Sequence, residues 1–152
     1  MKISTKGRYG LRAILDVAQN SDQSHTVSVQ SISDRQDISE SYLEQLVRLL
    51  KNAGLIKSVR GAGGGYMLAR SADDISVGDV LRACEGNIEV VSCTATDSGE
   101  KCSRAEKCVT RIVWDSVNKA IEDAVNSISI GKLIEDSISI EEKTDDKSVC
   151  IN

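Results

Sequence analysis

The chain has 152 residues, about one domain's worth on the usual prior of roughly 100–200 residues each, and long enough to bury a core without disulfide staples. Its 40% hydrophobic and 28% charged residues are ordinary for a globular protein, and no apolar run approaches the ~18 residues of a membrane span. The net charge of −4 divides unevenly: residues 1–70 hold 10 Lys/Arg against 6 Asp/Glu, a net +4, while residues 71–152 hold 9 against 17, a net −8.

Lys2 and Lys6 are not followed by an apolar stretch, so the N-terminus does not read as a signal peptide, and a cytoplasmic protein without a membrane partner is expected. In chain order, Leu11, Ile14, Leu15 and Ala18 recur at helical spacing and predict a first helix capped by Ser4 or Thr5. A polar stretch, 20–27, reads as a loop. A short helix follows at about 28–36, with Val29 and Ile32 inward, and then a turn at Gln36-Asp37-Ile38. Leu43, Leu46, Val47 and Leu50 line one face of a third helix over about 39–52, started by Ser39 or by a Ser41/Glu44 capping box and ended by Gly54.

The period then changes. Residues 55–60 and 66–69 are two short extended runs joined by Gly61-Ala62-Gly63-Gly64-Gly65, a flexible hairpin tip. This glycine run matches neither a P-loop nor G-x-G-x-x-G, because no Lys-Ser/Thr follows it and Tyr66 stands in the last position. Helix, short helix, turn, helix and hairpin in that order predict a winged helix-turn-helix over 1–75.

A fourth helix is predicted at about 77–85, from Ser76 with Asp79 in its first turn. A cysteine-bearing loop precedes the longest helix, roughly 105–128. Val109, Ile112, Val113, Val117, Ala120, Ile121, Ala124 and Ile128 form a stripe too long for one small domain to cover, so a homodimer through this helix is expected. A short helix at 130–136 ends this second region, 76–136, and 137–152 reads as a charged, disordered acidic tail. The fold class is mainly α, with a small β-hairpin wing and a long dimerisation helix.

In a helix-turn-helix the second helix enters the major groove. Here its inward stripe leaves Ser41, Glu44, Gln45, Arg48 and Lys51 off the core. Gln pairs with adenine, Glu accepts from cytosine, and Arg or Lys reaches guanine or phosphate. Arg60 stands at the hairpin root, where a narrow minor groove attracts arginine. Lys6, Arg8 and Arg12 would lie near phosphates. Taken singly, each is equally a solvated surface charge; the order of elements makes them a group. Glu44 repels phosphate and would penalise sites lacking a suitably placed cytosine. So few rings (Tyr9, Tyr42, Tyr66, Trp114, and no Phe) speak against single-strand binding by stacking.

Of the five cysteines, Cys93, Cys102 and Cys108 fall within 16 residues, spaced C-x8-C-x5-C. An odd count in a cytoplasmic chain argues against a disulfide framework. The tight knuckle of zinc sites is missing, yet spacing alone leaves cluster, zinc and redox-active thiols open. Cys84 reads as a small core residue, and Cys150 and His25 as bystanders. A thiol redox enzyme is disfavoured, since there is no C-x-x-C and no nearby histidine.

Met1–Gly10 (MKISTKGRYG), Ser41–Leu46 (SYLEQL), Ser58–Tyr66 (SVRGAGGGY) and Cys108–Trp114 (CVTRIVW) together resemble the IscR/NsrR/CymR family of bacterial winged-helix regulators, over residues 1–136. Within it the chain looks most like the IscR type. The resemblance implies a non-enzymatic homodimer on double-stranded operator DNA, and a 2Fe–2S cluster on Cys93, Cys102 and Cys108. It implies control of iron–sulfur biogenesis genes, and DNA contacts at Ser41, Glu44, Gln45 and Arg60; Tyr42 and Gly61, beside them in the sequence, are further candidate DNA-binding residues. Two departures stand out. The first cysteine gap is eight residues rather than five, and Arg111 stands where that pattern has a histidine ligand. Arg8 lies near the position from which other family members draw a ligand, and arginine is a poor one. The fourth ligand is therefore open among Asp97, Glu100, Glu106, a small thiol and solvent. Relatives of the family suggest two other readings, a nitric-oxide-sensing repressor of NsrR type and a cluster-free cysteine-metabolism repressor of CymR type. A structural zinc protein is the reading from outside it.

Overall fold

The computed structural model describes residues 4–91 and 107–149, with side chains through Lys143. The first helix, α1 (Thr5–Asn20), starts at Ser4, whose hydroxyl accepts from the amides of Lys6 and Gly7. It is followed by α2 (Val29–Gln36), α3 (Glu40–Asn52), strands β1 (Ile56–Val59) and β2 (Gly65–Leu68), a short 3-10 turn (Ala72–Asp74), α4 (Val77–Glu85), α5 (Val109–Asn126) and α6 (Ile130–Val149).

The core is aliphatic, as a chain without Phe requires. Ala13, Ile14 and Val17 of α1 meet Ile32 of α2 and the whole inward stripe of α3, Leu43, Leu46, Val47 and Leu50. Leu55 and Ile56 close it from the hairpin side, and Ile75, Val80, Cys84 and Ile130 from the other. Asp37, in the left-handed region at φ 51°, makes the turn between α2 and α3. Ser39 is the N-cap of α3, without a side-chain cap bond, which puts Ser41 inside the helix, where the Ser41/Glu44 pair cannot form a capping box. Gly54, at φ 70°, follows the end of α3, and the Leu55 amide then donates to the Leu50 carbonyl at 3.0 Å, turning the chain into β1.

The hairpin pairs Ile56 with Leu68 through Val59 with Gly65. Val27, in the loop before α2, adds a third position to it. Its amide donates to the Tyr66 carbonyl at 2.9 Å and its carbonyl accepts from the Tyr66 amide at 2.8 Å. Glycine is needed at 65 because a Cβ there would lie 2.6 Å from the Val27 carbonyl oxygen.

The Ser76/Asp79 pair forms a full capping box on α4. The segment before α4 is then tied to the α5–α6 corner: the Val77 amide donates to Ile128 and the Ile130 amide to Ile75, at 2.9 and 2.8 Å.

Two boundaries differ from the sequence reading. The long helix spans Val109–Asn126 rather than 105–128; residues 105 and 106 lie outside the described residues, and the helix stops two positions early. The final helix continues to Val149, where a short helix and a disordered tail were expected. Nothing in 137–149 breaks a helix, since there is no Gly or Pro. Leu133 and Ile134 pack on the core, Gln19 bonds Ser137 at 2.7 Å, and Lys132 pairs with Glu135 and Asp136 one turn on.

Candidate nucleic-acid interface and thiol site

α3 is half core and half surface. With its stripe buried, Ser41, Glu44, Gln45, Arg48 and Lys51 are all exposed on the remaining faces. Tyr42 is half-buried instead. Its ring sits edge-on to Tyr9 of α1, centroids 6.0 Å apart, which fixes the start of α3 against α1. Arg8 and Arg12 lie over the Tyr9 ring at 6.0 and 5.4 Å. Lys6 and Arg8 are exposed on the first turn of α1. Arg12 is already engaged, bonded to the Gln36 side chain at 3.1 Å and to the Gln36 carbonyl.

Arg60 and Gly61 are exposed on the hairpin, where Gly61 takes φ 121°. The tip is an ordered turn: the Gly64 amide donates to Gly61 O at 3.0 Å, and the Thr26 hydroxyl donates to Gly63 O at 2.6 Å.

Asp16 was not legible as a key residue. It is 1% exposed on the core face of α1. Arg35 reaches it with a two-pronged fork at 3.0 and 2.7 Å, and the Gln36 amide adds a third bond at 3.0 Å. The Asp16 carboxylate in turn holds the Arg35 guanidinium above its ordinary pKa. This network locks the end of α2 to α1 immediately before the turn into α3. The apolar stripe gave no sign of it, because the partners lie 19 and 20 residues away.

Of the three candidate metal ligands, Cys93 and Cys102 lie outside the described residues, as do Asp97, Glu100 and Glu106. Cys108 occupies the N-cap position of α5, part-exposed. The Thr110 hydroxyl, 3.2 Å away, and the Arg111 amide hold its thiol below the ordinary pKa, which favours the thiolate that metals bind. Cys84 is the opposite case. Burial, seconded by Glu85, pushes its thiol up to about 11, as befits the core residue expected. Arg111 faces Asp115 at 3.7 Å. Among the described residues no group of three or more His, Cys, Asp and Glu could hold a metal ion, and no helix is long and apolar enough to cross a membrane.

The model of the Rrf2 family, described as iron-dependent transcriptional regulators, matches residues 3–136. The chain belongs to the Rrf2 family. It is 41% identical over 134 residues to the transcriptional regulator IscR of Erwinia tasmaniensis, covering 88% of this chain and 79% of that one. It is 42% identical over 141 residues to IscR of Vibrio vulnificus, covering 93% and 82%. Among solved structures, IscR of T. potens superposes with a TM-score of 0.72 at 43% identity, covering 90% of this chain and 88% of that one. CymR, the global cysteine regulator of B. subtilis, superposes with a TM-score of 0.70 at 39% identity, covering 88% and 95%. The helix-turn-helix and wing are thus those of an Rrf2 transcriptional regulator rather than an enzyme, and DNA binding follows from that membership.

Proposed function

We propose that this Rrf2 regulator binds a pseudo-palindromic operator as a homodimer, that a 2Fe–2S cluster on Cys93, Cys102 and Cys108 sets its affinity, and that its targets are iron–sulfur biogenesis genes. The observation that carries the DNA reading is α3, which buries Leu43, Leu46, Val47 and Leu50 in the core while Ser41, Glu44, Gln45, Arg48 and Lys51 are exposed. In this reading Gln45 and Glu44 read base edges, Arg48, Lys51, Lys6 and Arg8 meet phosphate, Tyr42 holds the helix start, and Arg60 with Gly61 enters the minor groove.

The dimer reading is supported by α5, which buries none of its residues. Val109, Ile112 and Val113 are 79%, 72% and 54% exposed on one stripe. A second copy of the same helix is the occupant such a self-complementary stripe suits.

The cluster reading is supported by the IscR relatives and by Cys108, a part-exposed thiol at the head of α5 held below its ordinary pKa by the Thr110 hydroxyl. When bound, a cluster of this class supplies an iron centre whose presence or loss reports cellular iron–sulfur status. The chain's part is to tie the head of α5 to the cluster site and its far end to α4, through Ser76–Ser129 pairing and the Arg82–Asn126 bond at 2.9 Å, while Val80 and Cys84 of α4 pack on the core of the DNA-binding half.

Protein purified without oxygen is expected to be coloured, with about two irons per chain. Cys93→Ala is expected to lose both the colour and the wild-type operator affinity. Protein that stays colourless after reconstitution with iron and sulfide removes the cluster and leaves the DNA reading standing. One observation favours a second, CymR-type reading: Arg111, where the IscR pattern has its histidine, is paired with Asp115. Reaction of a coloured protein with nitric oxide separates the NsrR type.

A further inference from the structure

The loop between α1 and α2 reaches the wing at two levels. Val27 pairs with Tyr66 through both of its backbone groups. One residue earlier, the Thr26 hydroxyl donates to the Gly63 carbonyl at 2.6 Å. The turn it reaches is Gly61-Ala62-Gly63-Gly64. Such a turn has almost no side chains of its own with which to hold a shape. A Cβ added at Gly61 or Gly63 would meet nothing within 4 Å, so packing does not fix these residues. Among the described residues, the turn's hydrogen bonds are the internal Gly64–Gly61 bond and the bond from Thr26. Close fit continues at the next step, where a Cβ on Gly65 would lie 2.8 Å from the Thr26 hydroxyl oxygen.

A glycine-rich turn loses more conformational freedom on ordering than any other. A wing that ordered only on reaching DNA would lose that freedom at the moment of binding and weaken its affinity accordingly. We propose that Thr26 is a positioning residue for DNA recognition: its hydroxyl straps the wing turn to the α1–α2 loop and so pre-orders the neighbouring Arg60 for the minor groove. This rests on the DNA reading of the wing given above.

The test uses the full-length protein and a duplex that the wild type enriches from a random-sequence library. Thr26→Val keeps the β-branched shape and removes the donor; Thr26→Ser restores the hydroxyl. Thr26→Val is expected to weaken binding about threefold to tenfold, the scale of one lost hydrogen bond, with an unchanged melting temperature, and Thr26→Ser to bind as wild type. In an Arg60→Ala background the Thr26→Val loss is expected to shrink toward nothing, because the strap acts through Arg60. Amide exchange in the free protein is expected to quicken at Gly63 and Gly64 in Thr26→Val. Wild-type affinity in Thr26→Val, or a loss that is undiminished in the Arg60→Ala background, overturns the positioning role while the DNA reading stands. A wild type that enriches no duplex sinks the DNA reading and this role with it.

Discussion

At the scale of single residues, two aspartates decide how α3 is held out. Asp16 is a buried carboxylate whose partner, Arg35, is 39% exposed at the side chain. Water therefore stands in for part of what Arg35 would lose. Asp16 itself has three protein hydrogen bonds and no water to replace them. Asp16→Asn keeps the shape and removes the charge, so the charge-assisted bonds weaken and one amide hydrogen faces the guanidinium. The expected cost is about 2 kcal/mol, read by urea denaturation, with operator binding weakened further at temperatures where the fold is intact. Asp37 errs in the other direction. At φ 51° it holds a conformation that costs an L-residue energy and glycine none, although aspartate tolerates it better than most. No side chain has to be lost to the core, since Asp37 is exposed. Asp37→Gly is expected to be neutral to stabilising by about 0.5–1 kcal/mol, a rise of roughly 1–4 °C in melting temperature.

Among the elements, the crossing of α1 and α4 shows why some features were legible and others not. The stripes of α1, α3 and α4 were readable because helical period and caps are local: Leu43, Leu46, Val47 and Leu50 recur within two turns, and Ser76 and Asp79 form their capping box within three residues. The exposed row on α3 followed as the complement of that stripe. What sequence did not reveal depends on distant pairs. Asp16 needed Arg35, Thr26 needed Gly63, and the charged end of α6 needed Gln19 and a core docking for Leu133 and Ile134 before it read as helix. Gly10 belongs with these. It is buried in α1, and a Cβ there would collide with the Cys84 sulfur of α4, so the two helices touch through a glycine and a thiol. Gly10→Ala gains helix propensity but overpacks the crossing, and a net loss of about 1–2 kcal/mol is expected. Removing the sulfur leaves the nearest Cys84 atom, its Cβ, at an ordinary 3.6 Å. The double variant Gly10→Ala, Cys84→Ala is therefore expected to be more stable than Gly10→Ala alone, a non-additivity that thermal melts of the four-member cycle will show.

For the whole molecule, the question is how a basic half and an acidic half divide the work. The net +4 belongs to residues 1–70, the half with α3 and the wing, and the net −8 to residues 71–152, the half with α4, α5 and α6. Charge alone would keep the second half off DNA, so its contribution must come through geometry. α5 is about 27 Å long, contributes no buried residue to the single chain, and keeps Ile112 at 72% exposure. An apolar stripe of that length left in water is what a two-copy interface would cover. Two α3 helices held by one seam would fall on half-sites about one DNA turn apart. Ile112→Glu places a charge near the head of that seam, on a residue exposed in the single chain. The fold is then expected to survive, with a melting temperature near wild type at high dilution, while sedimentation reports a monomer. Operator affinity is expected to fall by about 10²- to 10⁴-fold, because the second half-site is no longer bound at the effective concentration that a tethered partner provides. A variant that stays dimeric places the seam elsewhere, with α6 and its exposed Ile138 and Ile140 the next face to test. A monomer that binds the full operator as well as wild type would mean that one α3 and one wing suffice, and the two-copy geometry would have no part in recognition.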